Sequence, residues 1–195
     1  MKVYGITGGV GTGKSTVLSV LRQICKCEII MADDVAKDTI VPGGIAYQAI
    51  VDLLGKGIVG DDGFIDRKAM SDMIFADENL RQKVNAIIHP ATKKEIIKQI
   101  ENARLNGNVD FVFVEAALLI EAHYEDICDE FWYIYAPLNV RIDRLMKSRG
   151  YSHEKCLSII NKQLTEEEFM KHCAKRIDNS VSLEETKAQL IRNLN

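Results

Sequence analysis

The amino-acid sequence predicts an α/β fold: a five-stranded parallel sheet flanked by helices. Three observations predict it. Five short apolar runs recur along the chain, the middle three are nearly continuous in apolar residues, and helical periods alternate with them. Continuous apolar runs suit strands covered on both faces, and strand–helix alternation implies right-handed crossovers in a parallel sheet. The 195 residues, 47% of them hydrophobic and 27% charged, suffice for one substantial core. One domain over 1–195 is expected.

The first strand is "VYGIT" (3–7), and the helical period "KSTVLSVLRQI" follows it. "EIIMA" (28–32) is the second strand, with a helix expected to begin near Val35. About eighty residues then separate it from the third, "FVFVEA" (111–116), far more than one crossover helix requires. That interval holds "VPGG" (41–44), the turn-rich "GKGIVGDDGFID" (55–66) and a long helical span. Pro90 is expected to break that span, because proline lacks an amide donor and biases the residue before it away from helix. The interval reads as an inserted helical subdomain, about 42–105. "FWYIYA" (131–136) is the fourth strand and leads into "NVRIDRLMKSR". A charged helical insertion covers about 148–172, and "KRID" (175–178) is a weaker fifth strand. "LEETKAQLIRNL" closes the chain, with Ser182 as N-cap and Glu185 three residues on.

Between the first strand and its helix stands "TGGVGTGKST" (7–16). Gly8-x4-Gly13-Lys14-Ser15 satisfies the phosphate-loop pattern G-x-x-x-x-G-K-[ST], in the strand–loop–helix context that the pattern needs. Glycines let successive amides turn toward phosphate oxygens, and the helix N-terminus adds positive potential. Gly11, Thr12, Gly13, Lys14, Ser15 and Thr16 are therefore expected to bind a nucleoside triphosphate. Lys14 is expected to reach the β- and γ-phosphates and the Ser15 hydroxyl to ligate Mg²⁺. The alternative is a plain tight turn with a solvated lysine. A GTP switch is disfavoured: "NKQL" (161–164) lacks the aspartate of a guanine-reading N-K-x-D, and "DLLG" (52–55) reads as helical. With S-G-G-Q absent too, a compact small-molecule kinase remains.

Such a kinase needs a base, a metal carboxylate and cations. Asp33 and Asp34 lie just beyond the second strand, where ligands of open α/β sheets bind. Asp33 is the candidate base, with helix capping as its alternative, and Asp34 reads as a cap. Glu115 ends the third strand, either as a carboxylate that holds Mg²⁺ or as a rim charge, and Glu121 is a candidate substrate contact. Arg144 and Arg149 are candidates for charge stabilisation of the transferring phosphoryl group, with Arg141 on the same helix face as Arg144. His89 either lines a pocket or satisfies carbonyls at the Pro90 break. His123, His153 and His172 read as surface residues.

A net charge of −3 argues against broad nucleic-acid binding, which needs a cationic face. No apolar run approaches the roughly 18–20 residues that cross a bilayer, and "MKVYGITGG" lacks the apolar stretch of a secretion signal. A cytoplasmic location is expected. Cys25, Cys27, Cys128, Cys156 and Cys173 lack zinc-site spacing and read as free thiols.

These residues together resemble the dephospho-CoA kinase family over nearly the whole chain. The resemblance rests on "GITGGVGTGKST", "MADDVAK", "VPG", "DGFIDR" (62–67), "HP" (89–90), "ALLIE" (117–121) and "RLMKSR" (144–149), with Gln163 and Asn179 at family glutamine and asparagine positions. It implies a P-loop kinase fold with a helical CoA-binding region and a lid, about 140–172. It also implies ATP-dependent phosphorylation of the ribose 3′-hydroxyl of dephospho-CoA, the last step of coenzyme A synthesis. Asp33 falls on the family's catalytic aspartate, Gly11–Thr16 on its ATP loop, Arg144 and Arg149 on lid arginines, and His89 near the substrate region. Met31, Ala117 and Ala174 depart from the family pattern, and Glu115 stands where aspartate is common. A nucleoside or nucleotide kinase and a non-catalytic nucleotide-binding module are the alternatives; the sequence names no protein partner.

Overall fold

The computed structural model describes residues 1–194. One sheet carries five strands: β1 (Lys2–Thr7), β2 (Cys27–Met31), β3 (Phe111–Glu115), β4 (Glu130–Tyr135) and β5 (Lys175–Asp178). Their order is β2-β3-β1-β4-β5. β1 pairs in parallel with β3 and β4, and β4 with β5. The apolar runs become strands because both faces are covered: Val3, Ile6, Phe113, Val114, Trp132 and Ile134 are all buried. Tyr4 stacks on Trp132 at 4.8 Å between ring centroids. "KRID" is a full edge strand; only its Ile177 is completely buried, which explains its faint apolar signature.

Among the described residues there are also nine α-helices: α1 (Lys14–Ile24), α2 (Ala32–Thr39), α3 (Tyr47–Leu54), α4 (Arg67–Ala76), α5 (Glu78–Asn106), α6 (Leu138–Arg149), α7 (His153–Ile160), α8 (Glu166–His172) and α9 (Leu183–Leu194). Ser182 Oγ accepts from the Glu185 amide at 3.2 Å, as its N-cap position predicts. None of these helices is long and apolar enough to cross a membrane.

Two compact units divide the chain. The first, Met1–Ile30 with Ala103 onward, holds the sheet, α1 and α6–α9. The second, Met31–Asn102, holds α2–α4 and most of α5 around a core of Ile40, Ala46, Ile50, Val51, Ile58, Ile65 and Val84. Its turn-rich stretch closes by backbone bonds from the Gly60 amide to Phe64 O and from the Gly63 amide to Gly60 O, both 2.9 Å, and by Tyr47 Oη donating to Gly63 O at 2.6 Å.

Two local expectations are corrected. α5 runs through Pro90 without a break. Ile87 and Ile88 before the proline and Ala91 after it all pack on the second unit's core, so burial on both sides holds one helix despite the missing donor. α2 begins at Ala32 rather than near Val35, with Met31 in the N-cap position and no side-chain cap bond. Asp34 is therefore not a cap. It sits in the first turn, where negative charge suits the helix dipole, and pairs with Lys37 at 2.6 Å.

Candidate active site

The loop after β1 leaves the carboxyl end of the sheet's central strand, the position at which open α/β sheets bind ligands. It is held from within and from behind. Thr12, fully buried, donates from Oγ1 to Gly9 O at 2.8 Å. Gly13 is the N-cap of α1 at φ 86°, ψ 36°, a left-handed conformation that a side chain would strain. The Thr16 and Val17 amides donate back to Gly13 O at 3.0 and 3.2 Å, whereas the Lys14 and Ser15 amides of the first turn have no backbone acceptor among the described residues, which leaves them available to an anion. Lys14 donates to Gly8 O at 2.8 Å and stands 3.4 Å from Glu115 Oε1. Both side chains are largely buried, 16% and 10% exposed, so this is an inward-facing ion pair and not a solvated lysine. Ser15 and Thr16 are exposed on the first turn of α1.

Behind the loop, side chains bind the outward carbonyls. Arg141 Nε donates to Val10 O at 2.9 Å, and its Nη2 donates to Gln163 Oε1 at 2.7 Å. The same Gln163 oxygen accepts from the Val10 amide at 3.0 Å. Gly9 has no room for a side chain, because Arg141 and Gln163 occupy the space that a β-carbon would take. Burial lowers the Arg141 pKa, with the nearby Tyr133 opposing that shift. Tyr133 itself is pushed up to about 12, mainly by burial and then by Glu166. Arg144 donates to Gly11 O (3.4 Å), Thr12 O (3.1 Å) and Asn179 O (2.7 Å).

The predicted residues thus fall into several places. Gly11–Thr16, Lys14, Ser15 and Glu115 lie in the first unit at and beside the loop, together with Arg144. Arg144 turns two of its nitrogens to backbone carbonyls. Arg149 is exposed at the C-terminus of α6, 6.0 Å from the Tyr151 ring. Glu121 is exposed in the turns after β3. Asp33 and His89 belong to the second unit, both exposed, on the first turn of α2 and within α5. Among the described residues of that unit, none hydrogen-bonds the Asp33 carboxylate. The grip on the loop by Arg141 and Gln163 was not read from local pattern, since their partners in the loop lie 131 and 153 residues away.

For Mg²⁺, the local donors are the Ser15 hydroxyl and the Glu115 carboxylate. Among the described residues no group of three or more His, Cys, Asp or Glu side chains converges. That donor set fits Mg²⁺, a hard cation that takes one or two protein oxygens and completes its shell with phosphates and water.

The family model for dephospho-CoA kinase matches residues 2–185. A dephospho-CoA kinase of Carboxydothermus hydrogenoformans is 37% identical over 191 residues, 98% of this chain and 92% of the relative. One of Bacillus licheniformis is 36% identical over 96% of this chain and 92% of its own length. Among solved structures, a Thermus thermophilus protein superposes with a TM-score of 0.81 at 27% identity, covering 99% of this chain and 95% of its own. A shikimate kinase of Acinetobacter baumannii, at 13% identity and a TM-score of 0.54, covers 100% and 92% and shares the fold.

Proposed function

This chain belongs to the dephospho-CoA kinase family, and on that premise we propose how its residues divide the work. Membership makes it an ATP-dependent kinase of dephospho-CoA, the enzyme of the final step of coenzyme A synthesis. In our reading the amides and side chains of Gly11–Thr16 hold the ATP phosphates, with Lys14 on the β- and γ-oxygens. Ser15 and Glu115 hold Mg²⁺, which when bound neutralises phosphate charge. Asp33 accepts the proton of the ribose 3′-hydroxyl as that oxygen bonds to the γ-phosphorus and the bond to ADP breaks. Arg144, beside the loop, and Arg149 supply positive charge to the transferring group. Residues about 42–105, with His89, and Glu121 on the loop after β3, contact dephospho-CoA, while about 140–172 act as a lid. The work takes place in the cytoplasm and requires no nucleic acid or membrane.

The observation that carries this reading is the Lys14 ammonium, held between Gly8 O and Glu115 at the start of α1. A coupled assay for ADP with ATP and dephospho-CoA tests it. Asp33→Asn is expected to lower kcat by about 10²–10⁴-fold, with ADP affinity unchanged. Full turnover in that variant removes Asp33 as the base. A preference for adenosine monophosphate over dephospho-CoA overturns the acceptor.

A further inference from the structure

The backs of the phosphate-loop peptides carry a second network, joined from β5 and α9. Asn179 follows β5 directly and is buried. Its Nδ2 donates to Thr12 O at 2.9 Å and to Gly13 O at 3.3 Å. Its backbone is fixed as well: the amide donates to Tyr135 O at 2.9 Å, and the carbonyl accepts from Arg144 at 2.7 Å. Thr186, in α9 and fully buried, places its hydroxyl 3.1 Å from Asn179 Oδ1 and 3.0 Å from Ser182 O. The amide orientation follows from chemistry. Carbonyls only accept, so the Asn179 nitrogen must face Thr12 and Gly13, and its oxygen must face the Thr186 hydroxyl, whose one proton it shares with the Ser182 carbonyl.

We infer that Asn179, oriented by Thr186, is a positioning residue for the nucleotide phosphates. A trans peptide points its C=O and the following N–H in opposite directions. Holding the Thr12 carbonyl outward therefore turns the Gly13 amide inward, and at Gly13 the Asn179 bond reinforces those of the Thr16 and Val17 amides on the carbonyl, which does the same for Lys14. Arg144 extends the hold to Gly11 O. The amides then face the anion before it arrives, which removes reorganisation from binding and from the transition state. Gly13 is part of the same device, because Asn179 Nδ2 occupies the space that a β-carbon there would take. The inference rests on the reading of the loop as the ATP site.

The test uses the full chain with ATP and dephospho-CoA. Thr186→Val removes the orienting hydroxyl at nearly constant volume; Thr186→Ser keeps it. We expect Thr186→Val to raise the KM for ATP, and the Kd for ADP by calorimetry, about tenfold, the size of one buried hydrogen bond. The KM for dephospho-CoA should stay within about twofold, and Thr186→Ser within about threefold of the parent on every measure. Should Thr186→Val not fold, Asn179→Ala read in the same way takes its place, with an equal or larger rise expected. A lower kcat with both KM values unchanged, as a smaller folded fraction produces, overturns the inference. Lys14→Ala separates the two levels of the argument: lost ADP affinity there with normal affinity in Thr186→Val rejects only the positioning role, whereas retained affinity in Lys14→Ala rejects the loop as the nucleotide site and the inference with it.

Discussion

Thr7, the last residue of β1, shows how a residue can be settled by its neighbours and not by its type. Its side chain is fully buried, and its hydroxyl has no hydrogen-bond partner among the described residues. Leaving a buried hydroxyl unsatisfied costs about 1–3 kcal/mol, while valine has the same shape without the hydroxyl. Thr7→Val should accordingly raise the free energy of unfolding, by about 1 kcal/mol, in chemical denaturation followed by circular dichroism. A loss of stability of that size contradicts the account. Lys14 makes the complementary case, since its motif position was legible in the sequence but its pairing with Glu115, far away along the chain, was not.

At the scale of elements, caps and breaks decide where helices begin and whether they continue. α8 opens with a reciprocal capping box: Thr165 Oγ1 accepts from the Glu168 amide at 3.3 Å, and Glu168 accepts from the Thr165 amide at 2.7 Å. The backbone bond, and then the side-chain bond, from Thr165 lowers the Glu168 pKa. A depressed carboxylate stabilises the fold above its ordinary value of 4.5 and loses that contribution as pH falls through the lower folded value. Thr165→Ala should speed amide exchange in α8 about fivefold near neutral pH, and the difference from the parent should shrink below pH 4. An unchanged exchange rate at neutral pH rejects the cap. In α5 the reverse holds. Pro90 is exposed inside a continuous helix, so replacing it relieves a local penalty and restores a backbone donor. Pro90→Ala should raise the unfolding free energy, up to about 3 kcal/mol, readable as a higher Tm. A lower Tm shows that the proline is required where it stands.

Across the whole molecule, burial sets the response to alkali. Burial pushes the Cys25 thiol up to about 12, with Cys27 adding to it, and pushes Cys173 up to about 12 by itself. Tyr124 and Tyr133 also rise to about 12, again mainly through burial. Each raised value means that the folded state keeps a proton that the unfolded chain releases sooner. Stability is then complete below about pH 9, where the unfolded thiols begin to ionise, and falls progressively toward pH 12. Urea midpoints between pH 8 and 11 should decline over that window, and Cys173→Ala should flatten the first part of the decline. A midpoint constant to pH 11 contradicts the burial of these groups. The same burial keeps the thiols as the weakly reactive protonated form at neutral pH.

All five strands, the helix at Lys14, the Ser182 cap and the phosphate loop were legible in the sequence, because each is written in neighbouring residues: apolar runs, a helical period, a cap three residues from its partner. The combination of motifs also carried the family and hence the reaction. Tertiary structure alone decided that α5 passes through Pro90, since the apolar contacts on either side outweigh a local preference. It alone decided that Arg144 faces loop carbonyls and that Asn179 and Thr186 stand behind the same peptides. Those bonds join residues 132–167 positions apart, and no local pattern encodes a contact that exists only after the sheet has brought the carboxyl ends of β1, β4 and β5 together.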